Sequence, residues 1–257
     1  VKYWKFIGGN SWKIYVGIVF FSTGIILYPF FLIVLAVPSW KKVSFKLSIL
    51  WSWLIRILCF YHVYKVKKSP LPDGPYVIVA NHASYLDIFL MCTIMPQHPF
   101  VFLGKSELLS YPILGTYFRK LHIPVFRTDK RKAAMSFIQA KKMVKEGWSL
   151  MIFPEGGIAD ENLPRMMPFK DGAFKLAKAL SVPIVPITFT NNHLLFTDPG
   201  SWFGGARPGV SKVHIHEFVS VAEIGLLTDK ELLKLCFDIV NRPLIDAFPE
   251  ICKSDLI

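Results

Sequence analysis

Tyr76-Val77-Ile78-Val79-Ala80-Asn81-His82-Ala83-Ser84-Tyr85-Leu86-Asp87 joins an apolar, β-branched run to residues that start helices. The pattern predicts a buried strand over 76–80, a sharp turn, and a helix entered through Asn81 or Ser84. Any site in the turn then lies at a strand's carboxyl end. In a regular helix, positions five apart lie roughly 140° apart, so His82 and Asp87 would not share a helical face. With His82 in the turn and Asp87 in the first helical turn, the imidazole can fold over the helix start and meet the carboxylate. Asp87 would then accept the Nδ1 proton and leave Nε2 free to take a proton from a substrate hydroxyl. A His beside an Asp is more often a surface or capping pair, and this stretch alone leaves both readings open.

The 257 residues suffice for one large α/β domain with an added segment, or for two small domains. A hydrophobic content of 53% with 22 Phe, and a mean hydropathy of +0.41, is high for a freely soluble protein and calls for a membrane-associated part. The net charge of +12 favours an anionic partner. No nucleic-acid motif accompanies that charge, so no nucleic-acid partner is expected. Cys59, Cys92, Cys236 and Cys252 show no paired spacing, which argues against a zinc site or disulfide framework and suits a cytosol-facing domain with reduced thiols.

Ile14 to Val37 contains no charged residue, and its 24 positions would span about 36 Å as a helix, enough for a hydrocarbon core of about 30 Å. No small-residue cleavage site follows, so an anchor is expected rather than a cleaved signal. Basic residues flank the run on both sides, and charge gives no orientation. A second segment, Phe45 to Tyr64, mixes Trp51, Trp53, Phe60, Tyr61 and Tyr64 with Lys46 and Arg56, an interface-seeking composition. A hairpin dipping into one leaflet is the preferred reading. A single span with an interfacial helix, and two buried core helices, remain alternatives. Lys65 to Gly74 reads as a basic, turn-rich linker, which divides the chain into membrane-associated helices over 1–64 and an α/β domain over 65–257.

Beyond the linker, strand-like runs at 76–80, 100–103, 123–126, 149–153, 184–190 and 212–219 alternate with helical patterns. They predict a largely parallel or mixed sheet covered by helices, with binding residues at the strands' carboxyl ends. Lys105 follows the second run and Arg127 the third, where its planar fork suits a phosphate. Lys132 to Glu146 reads as an amphipathic helix with Ala134, Phe137, Ile138, Met143 and Val144 on its apolar side, ending at Gly147. Glu155 and Gly156 follow the fourth run. Pro183 and Pro186 suggest an irregular or edge-proximal strand. Thr228 and Glu231 form a capping box for a last amphipathic helix.

Competing sites are weaker. Ser84 lies two residues from His82 without a nucleophile elbow, so capping suits it better than acyl-enzyme chemistry. His214 and His216 share a strand face, with Glu217 adjacent, but no third ligand is evident and no metal site is expected.

Four blocks in order, Asn81 to Asp87, Pro124-Val125-Phe126-Arg127, Phe153-Pro154-Glu155-Gly156 and Val182-Pro183-Ile184-Val185-Pro186, together resemble the glycerolipid acyltransferase family over about residues 65–220. The segment Pro168-Phe169-Lys170-Asp171-Gly172-Ala173 and the apolar N-terminal hairpin are also similar to that family. The resemblance implies that His82 is the general base and Asp87 its orienting partner. Arg127, assisted by Lys105, would hold the acceptor phosphate, Glu155 and Gly156 would line the acceptor site, and the fourth block would shape the acyl pocket. The implied reaction moves an acyl group, in one direct displacement, from acyl-CoA or acyl carrier protein to the free hydroxyl of 1-acylglycerol-3-phosphate in phospholipid synthesis. No cofactor is expected beyond that donor substrate. The enzyme would sit on a phospholipid bilayer with its catalytic domain on the cytoplasmic side. One departure is Gly157-Ile158-Ala159, where the family commonly continues with Thr-Arg-Ser. The missing Arg leaves another lyso-lipid acceptor open, with Arg165 a candidate replacement. A non-catalytic anionic-lipid-binding protein is the alternative of a different class.

Overall fold

The computed structural model describes residues 2–110, 114–126, 129–159, 161–198 and 205–252. Its centre is a seven-stranded sheet of β1 (Tyr61–Lys68), β2 (Val77–Ala80), β3 (Phe100–Lys105), β4 (Ile123–Val125), β5 (Ser149–Ile152), β6 (Ile184–Phe189) and β7 (Gly209–Ile215), ordered β1-β7-β6-β2-β5-β3-β4. The strands from β6 to β4 are parallel, while β7 meets β6 antiparallel and β1 follows β7. The mixed sheet covered by helices is the expected class. β2 sits at its centre with every residue buried, the result of helices on both faces.

The helices are α1 (Lys2–Ala36), α2 (Lys41–Leu58), α3 (Leu86–Ile94), α4 (Leu114–Leu121), α5 (Lys130–Lys145), α6 (Gly172–Leu180), α7 (Asn192–Leu195), α8 (Val221–Leu226), α9 (Asp229–Ala247) and α10 (Pro249–Cys252). The β2–α3–β3 and β4–α5–β5 units step across the sheet in opposite directions, so right-handed crossovers put α3 and α5 on opposite faces. The chain therefore leaves β2 for one face and the neighbouring β5 for the other. Their carboxyl ends are thus the place where strand order reverses, which in open α/β sheets is where binding sites form.

α1 and α2 form an antiparallel hairpin joined by a short 3-10 turn at Pro38–Trp40. Trp51 locks it: its Nε1 donates to Thr23 Oγ1 at 2.9 Å, and its ring stacks on Phe20 at 4.9 Å. Gly24 makes room for that ring, since a Cβ there would come within 3.0 Å of it. One side of α1 packs on the α/β body through Phe20 against Phe89 and Phe31 against Tyr117. The other side leaves Ile14, Ile18, Phe21, Ile25, Phe30 and Ile33 each 54–64% exposed. Gly8–Ala36 is long and apolar enough to cross a membrane by length and composition.

Several local expectations change. The expected second segment ends at Leu58, and Tyr61–Lys68 is strand β1, so the first strand crosses the boundary drawn after Tyr64. Pairing with β7 overrides the helical reading there: Tyr61 and Val63 face inward and the lysines line an edge strand. On α5, Met143 is buried as expected, but Phe137 and Ile138 are 40% and 66% exposed and Ala134 is exposed, with Ser136 and Ala140 buried in their place. Asp129 starts this helix two residues before the expected start by accepting from the amides of Arg131 and Lys132, and the core-facing stripe runs through Ser136, Ala140 and Met143 at spacings of four and three. β6 is interior rather than edge-proximal, and irregular as expected. Its pairing with β7 slips by one residue between Ile187–Ile215 and the Ile184–Val219 bridge, so Pro186, lacking an N–H, leaves no ladder bond broken. The capping box of Thr228 and Glu231 is present.

Candidate active site

Asn81 ends β2 and extends its pairing with β6 through a side chain. Its Nδ2 donates to Phe189 O at 3.0 Å, and its Oδ1 accepts from Phe189 N at 2.8 Å. This clasp turns the chain away from the sheet and sets His82 at the carboxyl end of β2. Asp87 lies in the first turn of α3, fully buried, where the helix N-terminus favours an anion. Its Oδ2 accepts from Ala83 N at 2.8 Å, Ser84 N at 2.9 Å and His82 Nδ1 at 3.0 Å. A carboxylate only accepts, so Nδ1 carries the proton and Nε2 presents a lone pair. The His82 side chain keeps 11% exposure against 0% for Asp87, so the imidazole retains contact with solvent while its carboxylate partner has none. Phe153 at the end of β5 stacks on the imidazole at 4.1 Å and 16°, fixing the ring plane.

Glu155 supports the same turn from the neighbouring strand. Oε1 accepts from His82 N at 2.7 Å and Oε2 from Met167 N at 2.7 Å. Burial pushes this carboxyl up to about 7, opposed by the two amide donors and reinforced by the charge of Asp87. Both oxygens of Glu155 thus face backbone. Gly156 takes φ +81, a left-handed turn that glycine adopts without strain. Lys105 Nζ, from the end of β3, lies 3.3 Å from where a Cβ on Gly157 would stand. A larger side chain at 157 would contest that place. Arg127 lies outside the described residues. Arg165 stands close enough to Cys252 to oppose the upward push of burial on its thiol.

Ser84 Oγ is fully engaged, donating to Phe196 O at 2.6 Å and accepting from Leu86 N at 3.1 Å at the start of α3. Its proton is committed to a carbonyl, not to His82. His216 Nε2 is bonded to Thr188 Oγ1 at 2.9 Å. A groove of about 780 Å³ lined by Tyr64, Lys212, His214 and Arg242 lies along β1, β7 and α9, and includes none of the expected site residues.

Two neighbours escaped the sequence reading. Asn192 Nδ2 donates to Asp87 Oδ1 at 2.8 Å, and His193 lies close enough to feel the charge of Asp87, while burial holds its imidazole down to about 4 and therefore neutral. Neither carries a local signal, since both reach Asp87 from 105 and 106 residues away.

The arrangement brings a histidine of fixed tautomer, a buried carboxylate bonded to its Nδ1 and a lysine ammonium beside the neighbouring turn to the carboxyl ends of β2, β3 and β5. The acyltransferase family model matches residues 62–190. A 1-acyl-sn-glycerol-3-phosphate acyltransferase of Saccharomyces cerevisiae is 34% identical over 210 residues, 77% of this chain and 67% of the relative. One of Chlamydomonas reinhardtii is 30% identical over 211 residues, 80% of this chain, which spans 60% of that relative's length. Among solved structures, the 1-acyl-sn-glycerophosphate (LPA) acyltransferase PlsC of Thermotoga maritima shares the fold, with a TM-score of 0.73 over 94% of this chain and 96% of that one, at 23% identity. On the family match across the whole His82-to-Pro186 span, and on the yeast relative, this chain belongs to the acyltransferase family.

Proposed function

We propose that this chain is a membrane-bound O-acyltransferase that uses His82 as general base and Asp87 as its orienter to acylate the free hydroxyl of 1-acylglycerol-3-phosphate. His82 Nε2 takes the hydroxyl proton as the oxygen attacks the thioester carbonyl. The tetrahedral intermediate collapses by breaking the C–S bond, and the imidazolium returns the proton to the departing thiolate. Ester and free thiol are the products, and no acyl-enzyme forms. The observation that carries the reading is the Nδ1–Oδ2 bond of 3.0 Å at the carboxyl end of β2, which leaves Nε2 as the unprotonated nitrogen of a side chain that is 11% exposed.

The acceptor reading is supported by the activity of the similar 1-acyl-sn-glycerol-3-phosphate acyltransferases and by Lys105. Gly157 leaves room for its ammonium beside the turn where the family commonly places an Arg, so the cation for a phosphate comes from β3. Arg127 is proposed to share that phosphate. Glu155 holds the turn through the amide of His82, and Gly156 shapes the acceptor side. The donor is acyl-CoA or acyl carrier protein. The outward apolar side of α1, continued by Leu50, Trp53 and Ile57 of α2, supports docking of the hairpin into one leaflet of a bilayer. Four free, buried cysteines suit a cytoplasmic catalytic side.

The test is thiol release from acyl-CoA by purified protein on vesicles containing lysophosphatidic acid, beside a panel of other lyso-lipids. His82→Ala abolishes release. Equal product from wild type and His82→Ala would leave an anionic-lipid-binding protein instead. Preference for an uncharged lyso-lipid would move the acceptor.

A further inference from the structure

The segment from the end of β6 through α7 holds the His82 turn at three points. Phe189 pairs its N–H and C=O with the Asn81 amide, Asn192 Nδ2 donates to Asp87 Oδ1 at 2.8 Å, and Phe196 O accepts from Ser84 Oγ. Two of these contacts use backbone on the β6 side. Asn192 is the one made by a side chain, and that side chain is fully buried.

We infer that Asn192 is a positioning residue for the His82–Asp87 pair. The inference rests on the general-base reading above. Three donors from Asp87's own turn converge on Oδ2, and without a partner for Oδ1 the carboxylate can twist about its Cβ–Cγ bond and share them between oxygens. Asn192 gives Oδ1 its donor, distinguishes the two oxygens and keeps Oδ2 aimed at Nδ1. Its own Oδ1 has no hydrogen-bond partner among the described residues. Burying an unmatched acceptor is unfavourable for stability, so the amide is better explained by what its N–H does to Asp87 than by the fold. The titratable groups facing Asp87 are His82 from the turn after β2, Glu155 from the turn after β5 and His193 from α7.

Asn192→Asp tests this. At low pH the introduced acid is protonated and donates O–H to Oδ1 in place of N–H. At high pH two carboxylates face each other across the contact and drive Asp87 out of position. The ratio of variant to wild-type kcat/KM is expected to rise about tenfold or more as pH falls from 8.5 to 6, with both KM values unchanged. A ratio flat across that range overturns the inference. Asn192→Leu, which offers no donor at any pH, is expected to lower kcat about ten- to hundredfold without a change in KM, and a kcat within twofold of wild type overturns it. Loss of fold in both variants would make Asn192 a stability residue and equally overturn it. His82→Ala is run beside them: if it stays active, the general-base reading has failed, whereas an inactive His82→Ala with Asn192 variants like wild type leaves that reading intact.

Discussion

Asp87→Asn separates the charge of the carboxylate from its geometry. The Asn carbonyl can take the Oδ2 place and still accept from Ala83 N, Ser84 N and His82 Nδ1. Its amide then faces Asn192, which turns its own unpartnered Oδ1 inward to accept. The hydrogen-bond network closes, the tautomer stays correct, and what disappears is the negative charge opposite the imidazolium that forms as the substrate loses its proton. Two unit charges at the observed 3.0 Å would interact by about 5 kcal/mol at an effective dielectric of about 20. Spreading both charges over the ring and the carboxylate brings this to about 3–4 kcal/mol, or roughly 10²–10³ in rate. Initial rates of thiol release at saturating acyl-CoA and lysophosphatidic acid measure it, with circular dichroism and thermal melting to verify the fold. The loss is expected in kcat with KM within about twofold. A folded Asp87→Asn enzyme within fivefold of wild-type kcat would show that no charge develops on His82 in the rate-limiting step, and the base assignment would fall with it.

Three further outcomes concern the neighbouring ends of β3 and β5. Burial pushes the Glu155 carboxyl from its ordinary 4.5 up to about 7, so between those values the folded chain keeps a proton that the unfolded chain has lost. Stability therefore falls as pH rises through that window, by up to about 3 kcal/mol. Subtracting the Glu155→Gln curve, measured by urea unfolding from pH 4.5 to 7.5, isolates this contribution, and identical slopes in the two proteins would refute it. Lys105→Ala is expected to raise the acceptor KM about tenfold with little change in kcat, as loss of one ionic contact to a phosphate predicts. Gly157→Thr, which crowds the same ammonium, should move KM in the same direction, and an unchanged KM in both removes Lys105 from the site.

How much was legible from residues alone differs between elements. The β2 strand and the turn after it could be read because their signal is local: β-branched residues running into Asn, Ser and Asp. The hairpin was legible for the same reason, an uncharged run ending near Pro38. β1 was not, because Tyr61, His62, Val63 and Tyr64 suit an interfacial helix as well as a strand, and pairing with β7, some 150 residues on, makes the choice.

Sequence by itself determined a sheet covered by helices, through strand-like runs alternating with helical patterns, and the apolar hairpin and the closeness of His82 to Asp87, which depend on neighbours within a few positions. Tertiary structure decided what holds that pair. Glu155, expected to line the acceptor, grips the amide of His82. Phe153 stacks on the imidazole, and Asn192 engages the second oxygen of Asp87. Spacing along the chain cannot specify such contacts, because a carboxylate buried at the start of a helix takes its remaining donor from whichever strand end the fold brings beside it.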